Sequence, residues 1–292
     1  MSRYFSIAGW TVEAPFDLPA LPAAGGPADV TISITPDRPD IADPRFSDEG
    51  WVVGAREWLV RVWDQQAILV RDGRAISLWA ADGAPPDLVR PFLPGPAFAV
   101  VSYLRGRTPL HGAAIEVAGQ AILVLGRSGA GKSTLATALV AAGHVPLADD
   151  LCLPAIGDHR PLLHPVFPRL RADPGTLDAF GLEGEPMPDG KRRLPLPVGL
   201  VPGGRPIAAV LILDEAHGSA GQIRRLRGSE AIETVMRQRW APQCAGWYGC
   251  QASSFRDIGA LATGAGVFAV STPDGLDRLP AFCDQLTVAV LS

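Results

Sequence analysis

Between residues 1 and about 92, apolar and polar positions alternate with a period of two. Phe5-Ser6-Ile7-Ala8-Gly9-Trp10-Thr11-Val12 and Val30-Thr31-Ile32-Ser33-Ile34 read as strands with one buried face. A loop rich in proline, glycine and alanine, Pro15 to Pro27, separates them. Further short strands are expected at Trp58–Val62, Ala67–Val70 and Ala75–Trp79, with Asp72-Gly73 as a hairpin turn signal. A helical stretch, roughly Ala97 to Arg105, leads into Pro109-Leu110-His111. From Gly112 the pattern reads strand, glycine-rich loop, helix, strand, which predicts a βαβ unit and a parallel sheet buried on both faces. Residues 154–206 hold eleven prolines and few long apolar periods, so loops and short elements are expected there. A buried strand returns at Ile207–Leu213. Helices near Ser229–Trp240 and Ser254–Thr263, a strand Val267–Val270 and a helix near Leu279–Leu286 complete the chain. No internal repeat is visible.

The loop carries the strongest chemical signal. Gly126-Arg127-Ser128-Gly129-Ala130-Gly131-Lys132-Ser133-Thr134 is a full Walker A sequence. It follows the apolar run Ala121–Leu125 and opens the helical run Leu135–Val140. Its glycines let backbone N–H groups converge on an anion at a helix N-terminus. Lys132 is expected to reach the β- and γ-phosphates, and the Ser133 hydroxyl to ligate Mg²⁺. With both flanks in place, the chain is expected to bind ATP.

Composition narrows the setting. The chain has 292 residues, 47% apolar and 19% charged, enough for one large or two modest globular domains. Net charge is −4 without a basic block, which argues against nucleic acid or an anionic membrane as partner. Glycine (32) and proline (28) together make about a fifth of the chain, so many turns are expected. The start, Met1-Ser2-Arg3-Tyr4-Phe5-Ser6, lacks the pattern of a secretory signal, and no apolar run has the length of a membrane span. Cys152, Cys244, Cys250 and Cys283 have no metal-site spacing and read as reduced thiols, so a cytoplasmic protein is expected.

A phosphate loop needs an acid, to hold Mg²⁺ or to accept a proton from the nucleophile. Two places offer one. Val210-Leu211-Ile212-Leu213-Asp214-Glu215 has the form of a Walker B strand, which would suit a regulatory ATPase or a nucleotide-dependent binding module. A helicase reading of Asp214-Glu215-Ala216-His217 fails, since the chain is short, net acidic and lacks a second motor domain. Leu147-Ala148-Asp149-Asp150 offers the better physical case. Adjacent carboxylates at a strand end project to opposite sides, so one can face the phosphate while the other meets metal or histidine. Held close together, they raise the pKa of one, which suits a proton acceptor.

His111-Gly112-Ala113-Ala114, then strand and phosphate loop, then Gly143-His144-Val145-Pro146-Leu147-Ala148-Asp149-Asp150, resembles the C-terminal catalytic domain of HPr kinase/phosphorylase over roughly residues 107–155. The resemblance implies phosphorylation of a protein serine. It implies Asp149 as the base, His111 as a nearby active-site partner, and Asp150 in the metal and histidine network. The family's loop commonly ends in Lys-Ser-Glu, whereas this chain has Lys132-Ser133-Thr134, and the segment linked to phosphorylase activity is not recognisable between residues 155 and 206. Residues Tyr4 to Pro22 resemble the start of HPr-kinase-like proteins found with lasso-peptide biosynthesis, which implies a peptide substrate.

The expectation is therefore an α/β protein. A β-rich domain over 1–106 precedes a P-loop kinase core over 107–292 with a mainly parallel or mixed central sheet. Catalysis is assigned to Asp149, His111, Asp150 and Lys132, and Mg²⁺ to Ser133 and Asp150. The phosphate loop is Gly126 through Thr134. The acceptor is expected to be a serine on a peptide or small protein. A kinase of a small hydroxylated metabolite is the other transferase reading, and the family resemblance is compatible with a homo-oligomer. One of Arg169, Arg171, Lys191, Arg192 and Arg193 is expected to close over the γ-phosphate. Trp240, Trp247 and Tyr248 are candidates for a peptide groove, though aromatic residues near helices more often sit in a core.

Overall fold

The computed structural model describes residues 2–18, 21–62, 65–82, 93–157, 159–195, 203–213 and 221–291. The first half forms one eight-stranded sheet. Its strands are β1 (Arg3–Ile7), β2 (Trp10–Ala14), β3 (Val30–Ile34) and β4 (Phe46–Ser47), then β5 (Trp51–Val53), β6 (Glu57–Val62), β7 (Gln66–Arg71) and β8 (Ala75–Ala80). They lie in the order β1-β2-β3-β8-β7-β6-β5-β4. The expected single strand Phe5–Val12 is two strands, because Ala8 (φ 55°) and Gly9 (φ 82°) turn the chain back on itself. Asp72 (φ 54°) and Gly73 (φ 64°) make the expected hairpin turn.

Helix α1 (Phe98–Leu104), buried along its whole length, joins this sheet to the second half. There follow β9 (Leu110–Val117), β10 (Gln120–Gly126), α2 (Lys132–Ala141), β11 (Val145–Ala148) and β12 (Leu151–Cys152). Short pieces come next: β13 (Pro154–Ala155), β14 (Leu162–Leu163), β15 (Arg171–Ala172), α3 (Pro174–Ala179), β16 (Glu185–Pro186) and β17 (Arg192–Arg193). The chain continues through β18 (Arg205–Leu213), β19 (Gln222–Leu226), α4 (Gly228–Met236) and α5 (Gln243–Trp247). It ends with α6 (Gln251–Gly264), β20 (Gly266–Ser271) and α7 (Leu279–Leu291).

The fold is a mixed α/β arrangement, and its second sheet departs from a simple βαβ unit. Ala118 (φ 48°) and Gly119 (φ 78°) fold β9 and β10 into a hairpin, so β9 runs antiparallel beside β10. Strand β11 pairs with β9, not with β10. The order is β11-β9-β10-β18, with β20 and then β19 beyond, and β10, β18 and β20 are parallel. The physical reason is local. A two-residue turn with both φ values positive forces the return stroke, and hydrophobic periodicity alone is silent about the neighbour it returns to.

The run Ala121–Leu125 is apolar without interruption because both faces of β10 are covered. Ala121, Leu123 and Leu125 join the core shared with the first sheet and α1. Ile122 and Val124 face the opposite way, against Leu135 and Leu139 of α2 and Phe282 and Leu286 of α7. Trp240, Trp247 and Tyr248 also belong to a core. Trp51 stacks on Trp240 with ring centroids 6.2 Å apart and meets Trp247 edge-on at 6.1 Å. The Tyr248 hydroxyl donates to the Glu57 carbonyl at 3.0 Å, tying the first sheet to the second half. No helix among the described residues is long and apolar enough to cross a membrane.

Candidate active site

The glycine-rich loop leaves the end of β10 as a tight turn. Gly126 (φ 150°), Gly129 (φ 87°) and Gly131 (φ 88°) all take backbone angles that L side chains rarely adopt. A Cβ on Gly126 would stand 2.8 Å from the Leu213 carbonyl of neighbouring β18, so this position is also sterically closed. The loop delivers Lys132 to the first turn of α2. The Lys132 ammonium donates to the loop's own carbonyls, Gly126 O at 2.9 Å and Arg127 O at 2.8 Å. Burial is the main reason its pKa is lowered, with the carboxylates of Asp150 and Asp149 opposing.

His111 is the second residue of β9, the strand paired with β10. Gly112 beside it is hemmed in by the Val124 carbonyl and the Leu125 side chain, leaving no space for a Cβ. Leu151 pairs with His111 across the sheet, which brings the preceding Asp149 and Asp150 to the same edge. Asp150 takes a left-handed φ of 70°, and both aspartates line one cleft, Asp149 against Arg171 and Asp150 beside His111. The His111 Nδ1 lies 3.4 Å from Asp150 Oδ1. Desolvation lowers the His111 pKa, with the Asp150 charge opposing.

Asp149 is different. Its side chain is only 13% exposed, and Oδ2 accepts from the Arg171 backbone N–H at 3.1 Å and from Nε at 3.5 Å. Burial pushes its pKa up to about 6; the Arg171 charge pulls the other way and the Asp150 charge adds to the rise.

The cleft encloses about 250 Å³. His111, Ser128, Gly129, Gly131, Lys132, Ser133 and Thr134 line it together with Asp149 and Asp150. Of the five candidate basic residues, Arg171 and Lys191 line the cleft. Arg192 is instead paired with Asp178 at 2.7 Å, Arg193 faces Glu185 at 3.8 Å, and Arg169 does not reach the cleft wall. Asp173, also on the wall, carries no motif and was invisible to sequence reasoning. So was Gly95, just before α1, where a Cβ would stand 3.2 Å from Asp150 Oδ2. Asp214, Glu215 and His217 lie outside the described residues.

The donor set suits Mg²⁺. Ser133 and Asp150 present hard oxygen donors on the same cleft, and Mg²⁺ is commonly held by one or two such groups with phosphates and waters completing its shell. No cluster of three or more His, Cys, Asp or Glu side chains that could cage a metal exists among the described residues.

No curated protein matches the chain. Among solved structures, the HPr(Ser) kinase/phosphatase from Coxiella burnetii is similar at 14% identity and a TM-score of 0.31, over 62% of this chain and 94% of that one. Residues 102–160, which contain His111, the whole glycine-rich loop, Asp149 and Asp150, match the family model of the HPr Serine kinase C-terminal domain.

Proposed function

We propose that this chain is an ATP- and Mg²⁺-dependent kinase that phosphorylates a serine hydroxyl, with a peptide as acceptor. The reading rests chiefly on one juxtaposition: a desolvated Asp149 carboxylate shares a cleft with a phosphate-binding loop. The family-model match over the same segment supports it. In this mechanism Asp149 takes the proton of the serine hydroxyl. The serine oxygen attacks the γ-phosphorus in line, the bond to the β–γ bridging oxygen breaks, and ADP leaves. A base with a pKa near the working pH is well matched to that task. Asp150, held beside His111, and Ser133 would hold Mg²⁺, which would supply charge neutralisation for the phosphates. Lys132 leaves its loop carbonyls for the phosphates, and Arg171 and Lys191, which line the same cleft, meet the charge of the transferring group.

We place the domain boundary between residues 106 and 107, after α1, and the reaction in the cytoplasm, in keeping with four unpaired thiols. The peptide class is carried by the likeness of Tyr4–Pro22 to kinases that accompany lasso-peptide biosynthesis, and a lasso precursor is the acceptor we favour. Incubation with ATP, Mg²⁺ and serine-containing peptides, read by mass spectrometry, tests the proposal. One phosphate is gained per peptide and lost when the serine is replaced by alanine. Release of free phosphate without any acceptor would instead identify an ATPase.

Gly95→Ala supplies a finer test. The added methyl crowds Asp150, whose left-handed backbone and His111 contact leave it little freedom to retreat. The turnover number falls several-fold, while affinity for ATP without metal, measured by calorimetry, stays at the wild-type value. An unchanged turnover number would show that this wall does not bear on catalysis.

A further inference from the structure

A second cavity lies at the other end of the central sheet. It encloses about 550 Å³ and is lined by Arg160, Arg225 and Arg227 with the ends of β19, α6 and β20. The glycine-rich loop leaves the carboxyl end of β10, whereas this cavity meets the amino end of parallel β20, roughly 20 Å away along six strand residues. Among the described residues, no carboxylate lines it. Among the described residues, the ion pairs nearby pass these arginines by: Arg224, not Arg225 or Arg227, takes Glu230, at 2.9 Å.

The walls are built tightly. A Cβ on Gly264 would run into the Pro161 ring, so the absence of a side chain lets the Arg160 hairpin seat against α6. A Cβ on Gly266 would stand 2.6 Å from the Phe268 ring. Phe268 in turn lies opposite Arg225 in the β19–β20 pairing, with the guanidinium 5.9 Å from the ring centroid, which limits where Arg225 can go. Gly228, with φ 56°, makes the turn that follows Arg227. The carbonyl end of α6 also attracts cations. A helix C-terminus is equivalent to about half a negative charge, too little to balance three guanidinium groups. In a chain of net charge −4, the described lining of this cavity is therefore net positive.

We propose that this cavity is a second anion site, distinct from the nucleotide cleft, which takes a small molecule bearing two or more phosphate groups. Guanidinium forks match phosphate oxygens bidentately, and the volume falls within the range of small-molecule sites. Inorganic pyrophosphate is the probe. Calorimetric titration of the full chain in 150 mM chloride gives two binding events. The double substitution Arg225→Gln/Arg227→Gln removes one of them, weakening it by about tenfold or more for each arginine. Lys132→Ala removes only the other. All three side chains are exposed, so the double variant melts within a few degrees of wild type. A single event that Lys132→Ala abolishes, or two events untouched by the arginine substitutions, would overturn the assignment. Neither outcome bears on phosphoryl transfer at the cleft, which the peptide assay reads separately.

Discussion

With Asp149 as the proposed base, Asp149→Asn is expected to abolish phosphoryl transfer and at the same time to stabilise the nucleotide-free protein at pH 8. Removing a positioned general base costs about 100- to 10,000-fold in turnover. The stability change follows from burial. The Asp149 side chain is 13% exposed and its pKa rises from 3.8 in the unfolded chain to about 6 in the fold, so the folded state disfavours its charge. Below pH 3.8 the group is protonated in both states and is neutral for stability relative to Asn. As pH rises through about 6, wild type loses stability until the carboxylate is fully ionised. The rise from 3.8 to about 6 corresponds to an upper bound of about 3 kcal/mol. Asn keeps an acceptor for the Arg171 N–H and Nε without the charge. Urea unfolding at pH 4 and pH 8, without metal or nucleotide, should show the advantage of the variant only at the higher pH. In wild type the same ionisation makes turnover climb with pH until about pH 6, below which it falls tenfold per unit. A variant that is no more stable than wild type at pH 8 would contradict the buried-charge account.

Arg107→Ala unfolds the junction between the two sheets. The Arg107 guanidinium donates to Ala8 O at 2.9 Å, Leu153 O at 2.8 Å and Pro154 O at 3.4 Å. It also lies 4.7 Å from the Trp10 ring centroid, with Arg105 at 5.2 Å from the same ring. One side chain thus ties the first hairpin to the segment that follows Asp149 and Asp150. Beside it, Asp257 accepts from the Thr108 N–H at 3.1 Å and the Thr108 hydroxyl at 2.9 Å. Its removal orphans partly buried carbonyls, at about 1–3 kcal/mol for each that stays dry, and forfeits a cation–π contact worth about 1 kcal/mol. We expect a loss of roughly 3 kcal/mol or more, read as a shift of the urea midpoint. Arg107→Lys keeps the charge but cannot fork to three carbonyls, and recovers less than half of the loss. A change under about 1 kcal/mol for the alanine variant would mean that the hairpin is held by apolar packing alone.

Much of the cleft was legible because its logic is local. A phosphate loop needs an apolar strand before it and a helix after it, and Ala121–Leu125, Gly126–Gly131 and Lys132–Ala141 are contiguous. The strands of the first half were legible for the same reason, since a period of two is a property of neighbouring residues. Sheet order was not. Ala118-Gly119 reverses the chain and places β9 between β10 and β11, which is how His111 comes to share an edge with Asp149 and Asp150. Periodicity reports that a residue is buried, not what it is buried against.

The loop, its lysine and serine, the aspartate pair, and the positions of the main strands and helices can be read from the chain alone. These depend on residue identity and on contacts a few positions apart. It takes the folded molecule to bring Arg171 and Lys191, and not Arg192 or Arg193, to the cleft, to set Asp173 and Gly95 beside it, and to make Asp149 the desolvated member of the pair. Those outcomes depend on segments far apart in the chain meeting across a sheet, and desolvation belongs to the assembled surroundings of a group rather than to its place in the sequence.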